Sequence, residues 1–161
     1  MASVCCYFQV HQPFRLRRYS VFDQDPFYFD NDANREILLK VADKCYRPAT
    51  AKILDLVKRH DGRFRVSFAI TGTCLEQLEL WAPDVIDLFK ELADTGACEF
   101  INETSHHSLS FLFARDEFDH QVTHHRDQIQ SLFGQTPRVF RNTELIYHDD
   151  LACHMAKRGE H

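Results

Sequence analysis

Four short apolar runs, each followed by a longer stretch with helical spacing, constrain the fold of this chain most strongly. The runs cover residues 4–10, 63–70, 97–102 and 138–143, and their length and apolar content are typical of buried strands. The segments between them are long enough to cross over a sheet and return, as parallel strands require. The pattern therefore predicts an α/β fold with a parallel sheet.

Helical regions are expected between and after these strands. A long aromatic loop at 11–33 precedes predicted helices at 35–60, 73–95, 115–133 and 150–158. The N-cap candidates of the first helix are Asn31, Asp32 and Asn34. Pro48 should kink or restart that helix. Thr73 and Glu76 have the spacing of a capping box, Pro83 is suited to a first turn, and Gly96 is suited to a C-cap.

Four β-α units are about half of a β/α barrel, which uses roughly seven or eight. Residues 157–161 have the composition of a helix end that is about to enter a fifth strand. We therefore expect the chain to end inside a domain and to form an open half-barrel. A complete four-stranded, doubly wound sheet is the alternative.

Composition and charge argue against several functions. The formal net charge of -5 at pH 7 disfavours nucleic-acid binding, which needs a basic face. No apolar run approaches the roughly 20 residues of a transmembrane helix, and the amino terminus lacks the basic start of a signal peptide. Six cysteines without a CxxC pair are typical of a reducing compartment. We expect a cytoplasmic protein that binds neither nucleic acid nor membrane.

Polar residues that follow the predicted strands are the candidate site residues, because β/α folds place their active sites at the carboxyl ends of strands. These residues are His11, Gln12, Glu103, His107 and Glu144. Glu99 shares one side of its strand with Glu103, since side chains alternate with a period of two. A carboxylate that faces the inside of a barrel needs a partner or a ligand. The strand ends therefore predict a site built from carboxylates and imidazoles.

Ordinary structural explanations exist for some of these residues. Glu144 could be an acid at a helix N-terminus, stabilised by the helix dipole. Glu99 could be exposed on an edge strand. His120 and His124 have i, i+4 spacing, but the stretch is strongly polar and lacks the Glu of HExxH, which favours a solvated helix face. The chain has no GxGxxG, Walker A, GxSxG or EF-hand motif, so we expect no cofactor and no metal.

Three of these segments resemble the motifs of glycoside hydrolase family 57, whose α-amylase-like and 4-α-glucanotransferase members use an incomplete (β/α)7 barrel. The first motif is His-Gln-Pro, found at residues 11–13. The second is G-x-x-E with two apolar residues, found at 96–101. The third carries the nucleophilic Glu and matches 140–147. The resemblance implies that residues 1–161 are part of the N-terminal catalytic domain, covering four β-α units of the barrel.

The resemblance implies a retaining reaction on α-1,4-glucans such as starch, glycogen or maltodextrin. Glu144 would be the nucleophile that forms a glycosyl-enzyme. The residues implied to contact substrate, or to tune the pKa of Glu144, are His11, Gln12, Glu99, Glu103, His107 and Arg141. Strand parity counted from Glu144 predicts that Arg141 points away from the site.

The acid/base of this family is an Asp in a later motif that has no equivalent in these 161 residues. We therefore expect the chain alone to be inactive. One alternative is a metal-dependent carbohydrate deacetylase on a related barrel, which would draw on His106, His107, His120 and His124. Another is a non-catalytic carbohydrate-binding or interaction fragment, and exposed strand edges would allow self-association.

Overall fold

A parallel sheet of three strands organises the structure, a computed structural model that describes residues 4–160. The strands are β1 (Tyr7–Val10), β2 (Val66–Ile70) and β3 (Cys98–Phe100). β2 lies in the middle, with Tyr7 of β1 and Glu99 of β3 both opposite Ser67. The predicted α/β fold with a parallel sheet is therefore confirmed.

Six α-helices connect and follow the strands in the described residues. They are α1 (Asn31–Val41), α2 (Arg47–Arg59), α3 (Gly72–Trp81), α4 (Pro83–Asp94), α5 (Arg115–Phe133) and α6 (Asp149–Lys157). The predicted first helix is divided by a π-helical turn at Ala42–Tyr46, and α2 restarts with Pro48 in its first turn. Proline is tolerated there because the first amides of a helix have no intrahelical acceptor.

The helix caps differ in part from the prediction. Asp30, rather than Asn31, Asp32 or Asn34, caps α1 by accepting from the Ala33 amide. Thr71, rather than Thr73, caps α3, and its hydroxyl accepts from the Cys74 amide at 3.3 Å. In both cases the cap lies one to four residues earlier than the predicted ones, which lengthens the helix at its start. Gly134 closes α5 in the left-handed conformation with φ 67°.

The predicted fourth strand at 138–143 is reduced to a single parallel bridge between Asn102 and Phe140. The Asn102 amide donates to Val139 O at 2.8 Å, and the Arg141 amide donates to Asn102 O at 2.9 Å. The chain thus runs beside β3 in the expected direction without extending the ladder. The predicted count of four strands is not confirmed.

The side chain of Gln135 accounts for the short ladder. Its Nε2 donates to Cys98 O at 3.0 Å, and its Oε1 accepts from the Phe100 amide at 3.2 Å. A side-chain amide thus forms the hydrogen bonds at the outer edge of β3 that the backbone of a fourth strand would otherwise form. A buried backbone group needs a partner, but that partner does not have to be backbone.

Two apolar clusters hold the elements together. The larger lies between the sheet and the helices, where Phe100 stacks on Phe133 with ring centroids 4.3 Å apart and Phe68 meets Phe89 edge-on at 5.2 Å. Burial of each such side chain contributes about 2–3 kcal/mol. The smaller contains Phe111, Phe118, Val122, Leu151 and Met155. Phe140 packs against this smaller cluster, which fixes the direction of the segment that leads to Glu144.

None of the helices in residues 4–160 combines the length and the apolar character needed to cross a membrane.

Candidate active site

Three predicted site residues form a chain of hydrogen bonds beyond the carboxyl end of β3. Nδ1 of His107 lies 3.2 Å from Glu103 Oε2, and Nε2 of the same ring lies 3.0 Å from Glu144 Oε1. The Glu103 side chain is fully buried, whereas that of Glu144 is 71% exposed. One imidazole therefore joins a buried carboxylate to an accessible one.

The contacts of His107 favour its charged form. Hydrogen bonding to Glu103, followed by the Glu144 contact, raises the pKa of His107 against the opposing effect of burial. Both ring nitrogens face carboxylate oxygens, and only the imidazolium can donate from both. The imidazolium form of His107 therefore places a positive charge beside the Glu144 carboxylate.

His11 lies against His107 with the opposite preference. The two rings stack with centroids 4.3 Å apart, and His11 Nδ1 lies 2.9 Å from Thr71 Oγ1. Burial, and next the nearby His107, lower the pKa of His11. The end of β1 thus brings a half-buried imidazole that favours its neutral form against one that favours its charged form.

Arg141 faces the open side of the sheet, so the prediction that it points away from the site is wrong. Its Nη1 lies 3.8 Å from Glu103 Oε2, and its Nη2 donates to Gln9 Oε1 at 3.0 Å. Alternation holds between Phe140, which packs against the smaller apolar cluster, and Arg141. It does not extend to Glu144, because Thr143–Leu145 is a 3-10 turn.

Both the side chain and the backbone oxygen of Gln12 form hydrogen bonds with other residues of the chain. Its Nε2 donates to the Tyr46 hydroxyl at 3.3 Å, and its Oε1 accepts from Arg15 at 3.1 Å. The Gln77 side chain donates to the backbone oxygen of Gln12 at 2.9 Å. These contacts fix the turn that follows β1 and therefore the position of His11.

Glu99 is not brought together with the other residues. It lies on the open face of the sheet, where Ser67 Oγ donates to its Oε2 at 3.4 Å. Four residues of extended chain separate it from Glu103, a distance of about 13 Å. It lines a cavity of about 580 Å³ that also contacts Cys6, Arg65 and Gln135. A contact of Glu99 with a ligand held at Glu144 therefore requires a ligand that extends along the sheet.

The backbone at the site is strained. Of the four non-glycine residues with positive φ among residues 4–160, three are His107 (53°), Glu144 (54°) and Leu145 (56°). The left-handed region costs an L-residue about 1–2 kcal/mol. Such strain concentrates at functional sites, where surrounding contacts maintain it. Here it turns the Glu144 carboxylate towards His107, a contact that sequence spacing does not reveal.

The histidines of the deacetylase alternative do not assemble. His106 Nδ1 lies 2.9 Å from Ser105 Oγ, and the rings of His120 and His124 stack on α5 with centroids 6.3 Å apart. Across the described part of the chain, no three His, Cys, Asp or Glu side chains are grouped so that they could hold a metal ion. The structure therefore offers no observation that favours the metal-dependent alternative.

Comparison with known proteins identifies the family. The family model described as Glycosyl hydrolase family 57 matches residues 5–160. The chain belongs to this family. A relative from Methanocaldococcus jannaschii, named "Putative alpha-amylase", is 43% identical over 149 residues. That match covers 90% of this chain and 32% of the relative, so the chain spans about a third of the relative's length.

Solved structures support the glycoside hydrolase/deacetylase type of fold. The family 57 chain is similar to 4-alpha-glucanotransferase from Thermococcus litoralis, with a TM-score of 0.72 and 18% identity over 97% of this chain and 21% of that one. It is also similar to the Bc1960 peptidoglycan N-acetylglucosamine deacetylase, with a TM-score of 0.58 and 15% identity over 97% of this chain and 53% of that one. At these identities the likeness concerns the fold.

Proposed function

We propose that this chain is the nucleophile-bearing part of a retaining glycoside hydrolase that acts on α-1,4-glucans such as starch, glycogen or maltodextrin. The observation that carries the proposal is the accessible Glu144 carboxylate joined through His107 to the buried Glu103. The names of the two family relatives, an alpha-amylase and a 4-alpha-glucanotransferase, support an α-glucan as substrate.

Glu144 attacks the anomeric carbon and forms a glycosyl-enzyme in this proposal. Its Oε1 is occupied by His107, so Oε2 is the attacking oxygen. The contact with His107 orients the carboxylate, and orientation supplies much of the rate in such steps. Glu103 acts through His107, and Arg141 Nη1 lies 3.8 Å from the same Glu103 oxygen that His107 contacts.

The sugar itself is contacted by the more accessible groups. His11 and Gln12 follow β1, and the His11 ring stacks on His107, which contacts the nucleophile. We therefore assign His11 and Gln12 to the hydroxyls of the sugar that is cleaved. Glu99 contacts a more distant sugar, since it lies along the open face of the sheet away from Glu144.

The general acid comes from outside residues 1–161 in this proposal. A retaining enzyme places its two carboxyl groups about 5 Å apart. Glu103 and Glu144 do not form such a pair, because the His107 ring lies between them. We therefore infer that the chain is a fragment of a longer enzyme and that it does not turn over natural glucans alone. The six free cysteines support a reducing, cytoplasmic location.

An activated sugar tests the nucleophile without the acid. Fluoride leaves α-maltosyl fluoride without protonation, so the 161-residue chain should form a maltosyl ester that mass spectrometry locates on the peptide containing Glu144. Deglycosylation is slow without a base, and the ester should accumulate.

Two matched reactions complete the experiment. Glu144→Gln should remove the label, whereas Glu36→Gln, a change on the exposed surface of α1, should leave it intact. Absence of label from the unaltered chain, or label on another residue, would overturn the proposed role of Glu144. Turnover of soluble starch by the unaltered chain, abolished by Glu144→Gln, would contradict the inference that the acid lies outside residues 1–161.

A further inference from the structure

A polar cluster lies directly behind the candidate site, on the side that faces the helices. It consists of Asn102, His125 and Glu160, and we refer to it as the Asn102 cluster. Asn102 and His125 are fully buried, and Glu160 is 4% exposed. The sequence pattern does not distinguish these residues, because Asn102 ends a strand-like run and Glu160 lies in a charged segment.

Asn102 is the centre of the cluster. Its Nδ2 donates to Glu160 Oε2 at 2.9 Å and to Val122 O at 3.3 Å, and these two acceptors fix the orientation of the amide. Its Oδ1 then accepts from the Glu103 amide at 3.1 Å. Its backbone oxygen accepts from the Arg141 amide at 2.9 Å. One residue thus positions the backbone of Glu103 and that of Arg141, whose guanidinium lies 3.8 Å from the Glu103 carboxylate.

The other members connect this centre to three further elements. His125 on α5 donates from Nε2 to Ile70 O at 2.7 Å, at the end of β2, and its Nδ1 accepts at 3.3 Å from the Glu103 amide, which Asn102 Oδ1 also contacts. Arg126 Nη2 lies 3.3 Å from Glu160 Oε1, which compensates the buried carboxylate. The ends of β2 and β3, helix α5 and the segment after α6 therefore meet at this point.

Stability alone does not account for such an arrangement. Burying a carboxylate and an amide costs desolvation that their mutual contacts only partly return, and apolar side chains of the same volume often give equal or greater stability. What the polar cluster supplies is a defined geometry, because each hydrogen bond fixes a direction as well as a distance.

We propose that Asn102, His125 and Glu160 are positioning residues for the candidate active site. Glu160 orients the Asn102 amide, and Asn102 holds Glu103 where its carboxylate bonds to His107. The charge state of His107, and through it the orientation of Glu144, then depends on a carboxylate on the far side of β3. The assignment of these residues to a catalytic purpose rests on the proposed function.

The pKa of His107, measured by NMR titration of the 161-residue chain, tests the coupling without any substrate. Glu160→Ala removes the acceptor of the Asn102 amide and should lower the pKa of His107 by about 0.5. Glu160→Gln removes the same charge but keeps an oxygen that can accept from Asn102 Nδ2, so the pKa should return towards the original value. Glu91→Ala breaks an exposed contact with Lys58 and serves as the control, without effect on His107.

A second variant covers the case in which Glu160→Ala does not fold. Glu160→Asp keeps the charge but withdraws it from Asn102 by one methylene, and it should also lower the pKa of His107. Equal effects of Ala and Gln would mean that only long-range charge is felt, and a loss of thermal stability with an unchanged His107 pKa would mean a purely structural role. Either result would overturn the proposal.

The maltosyl fluoride experiment separates the two proposals. Labelling of Glu144 together with an unresponsive His107 would reject the positioning role and leave the proposed function standing. A responsive His107 without labelling would support the coupling and reject the proposed function.

Discussion

The imidazole of His107 stacks on the imidazole of His11 at a centroid distance of 4.3 Å, and the two rings prefer opposite protonation states. Hydrogen bonding to Glu103 raises the pKa of His107, whereas burial lowers the pKa of His11. Each preference reinforces the other, because a charged His107 disfavours a second charge on the adjacent ring. Pairs of groups whose environments separate their pKa values are typical of sites that divide acid and base roles.

The two carboxylates that contact His107 should contribute unequally to its pKa. Glu103→Gln should lower the pKa of His107 more than Glu144→Gln, because the Glu103 side chain is fully buried and that of Glu144 is 71% exposed to screening by solvent. NMR titration of the ring in the three proteins measures the order. A larger effect of Glu144→Gln would show that the exposed carboxylate dominates and would contradict this account.

His107 should also make the folded state sensitive to pH. Its pKa in the folded chain lies above the ordinary value of 6.5, so its stabilising contribution is complete below pH 6.5 and is lost as pH rises through the folded pKa. His11 and His125, whose pKa values are lowered, contribute with the opposite sign and lose stability as pH falls. The contribution of His107 is therefore measured as the difference in the free energy of unfolding between the unaltered chain and a variant without this imidazole.

Urea unfolding of the unaltered chain and of His107→Gln, at pH 5.5 and pH 8.5, gives that difference. The free-energy gap in favour of His107 should be larger at pH 5.5, and Glu103→Gln should reduce its pH dependence because it removes the main cause of the shift. A gap that grows towards pH 8.5 would show that the sign of the shift is wrong.

The sequence predicted the sheet direction and most helices, because apolar periodicity and glycine or proline boundaries are local signals. It did not predict the loss of the fourth strand, since no periodicity reveals that the Gln135 amide occupies the edge of β3. Nor did it predict the direction of Arg141. Parity counted through Glu144 assumed an extended chain, and the turn at Thr143–Leu145 breaks that count.

The residues of the candidate site were largely predictable from the sequence, but their contacts with one another were not. Strand ends identified His11, Glu103, His107 and Glu144, and all four are adjacent in the structure. Glu99 was grouped with them because motif and parity agree, yet distance along the strand separates it from Glu144. Contacts between side chains from different strands depend on backbone conformations, such as the positive φ of Glu144, that spacing does not encode.

Removal of the Gln135 amide should destabilise the chain and expose the edge of β3. Gln135→Ala leaves the Phe100 amide and the Cys98 oxygen without their partners, at a cost of about 1–3 kcal/mol in the free energy of unfolding. An open edge also promotes pairing between chains, so sizing chromatography should show more self-association. Gln130→Ala on the exposed face of α5 is the matched control, and equal behaviour of the two variants would contradict the assigned role.

Relief of strain beside Glu144 should stabilise the chain. Leu145 has φ 56° and is 69% exposed, so replacing it with Asn loses little apolar burial while favouring the left-handed conformation, for a gain of about 1 kcal/mol. Leu80 is 65% exposed but lies within α3, where the same replacement should cost about 0.5 kcal/mol of helix propensity. Chemical denaturation of both variants measures the two changes, and the opposite signs are the test. Destabilisation by Leu145→Asn, as by Leu80→Asn, would show that the left-handed conformation of Leu145 costs little free energy. The turn that directs Glu144 towards His107 would then not be a strained one.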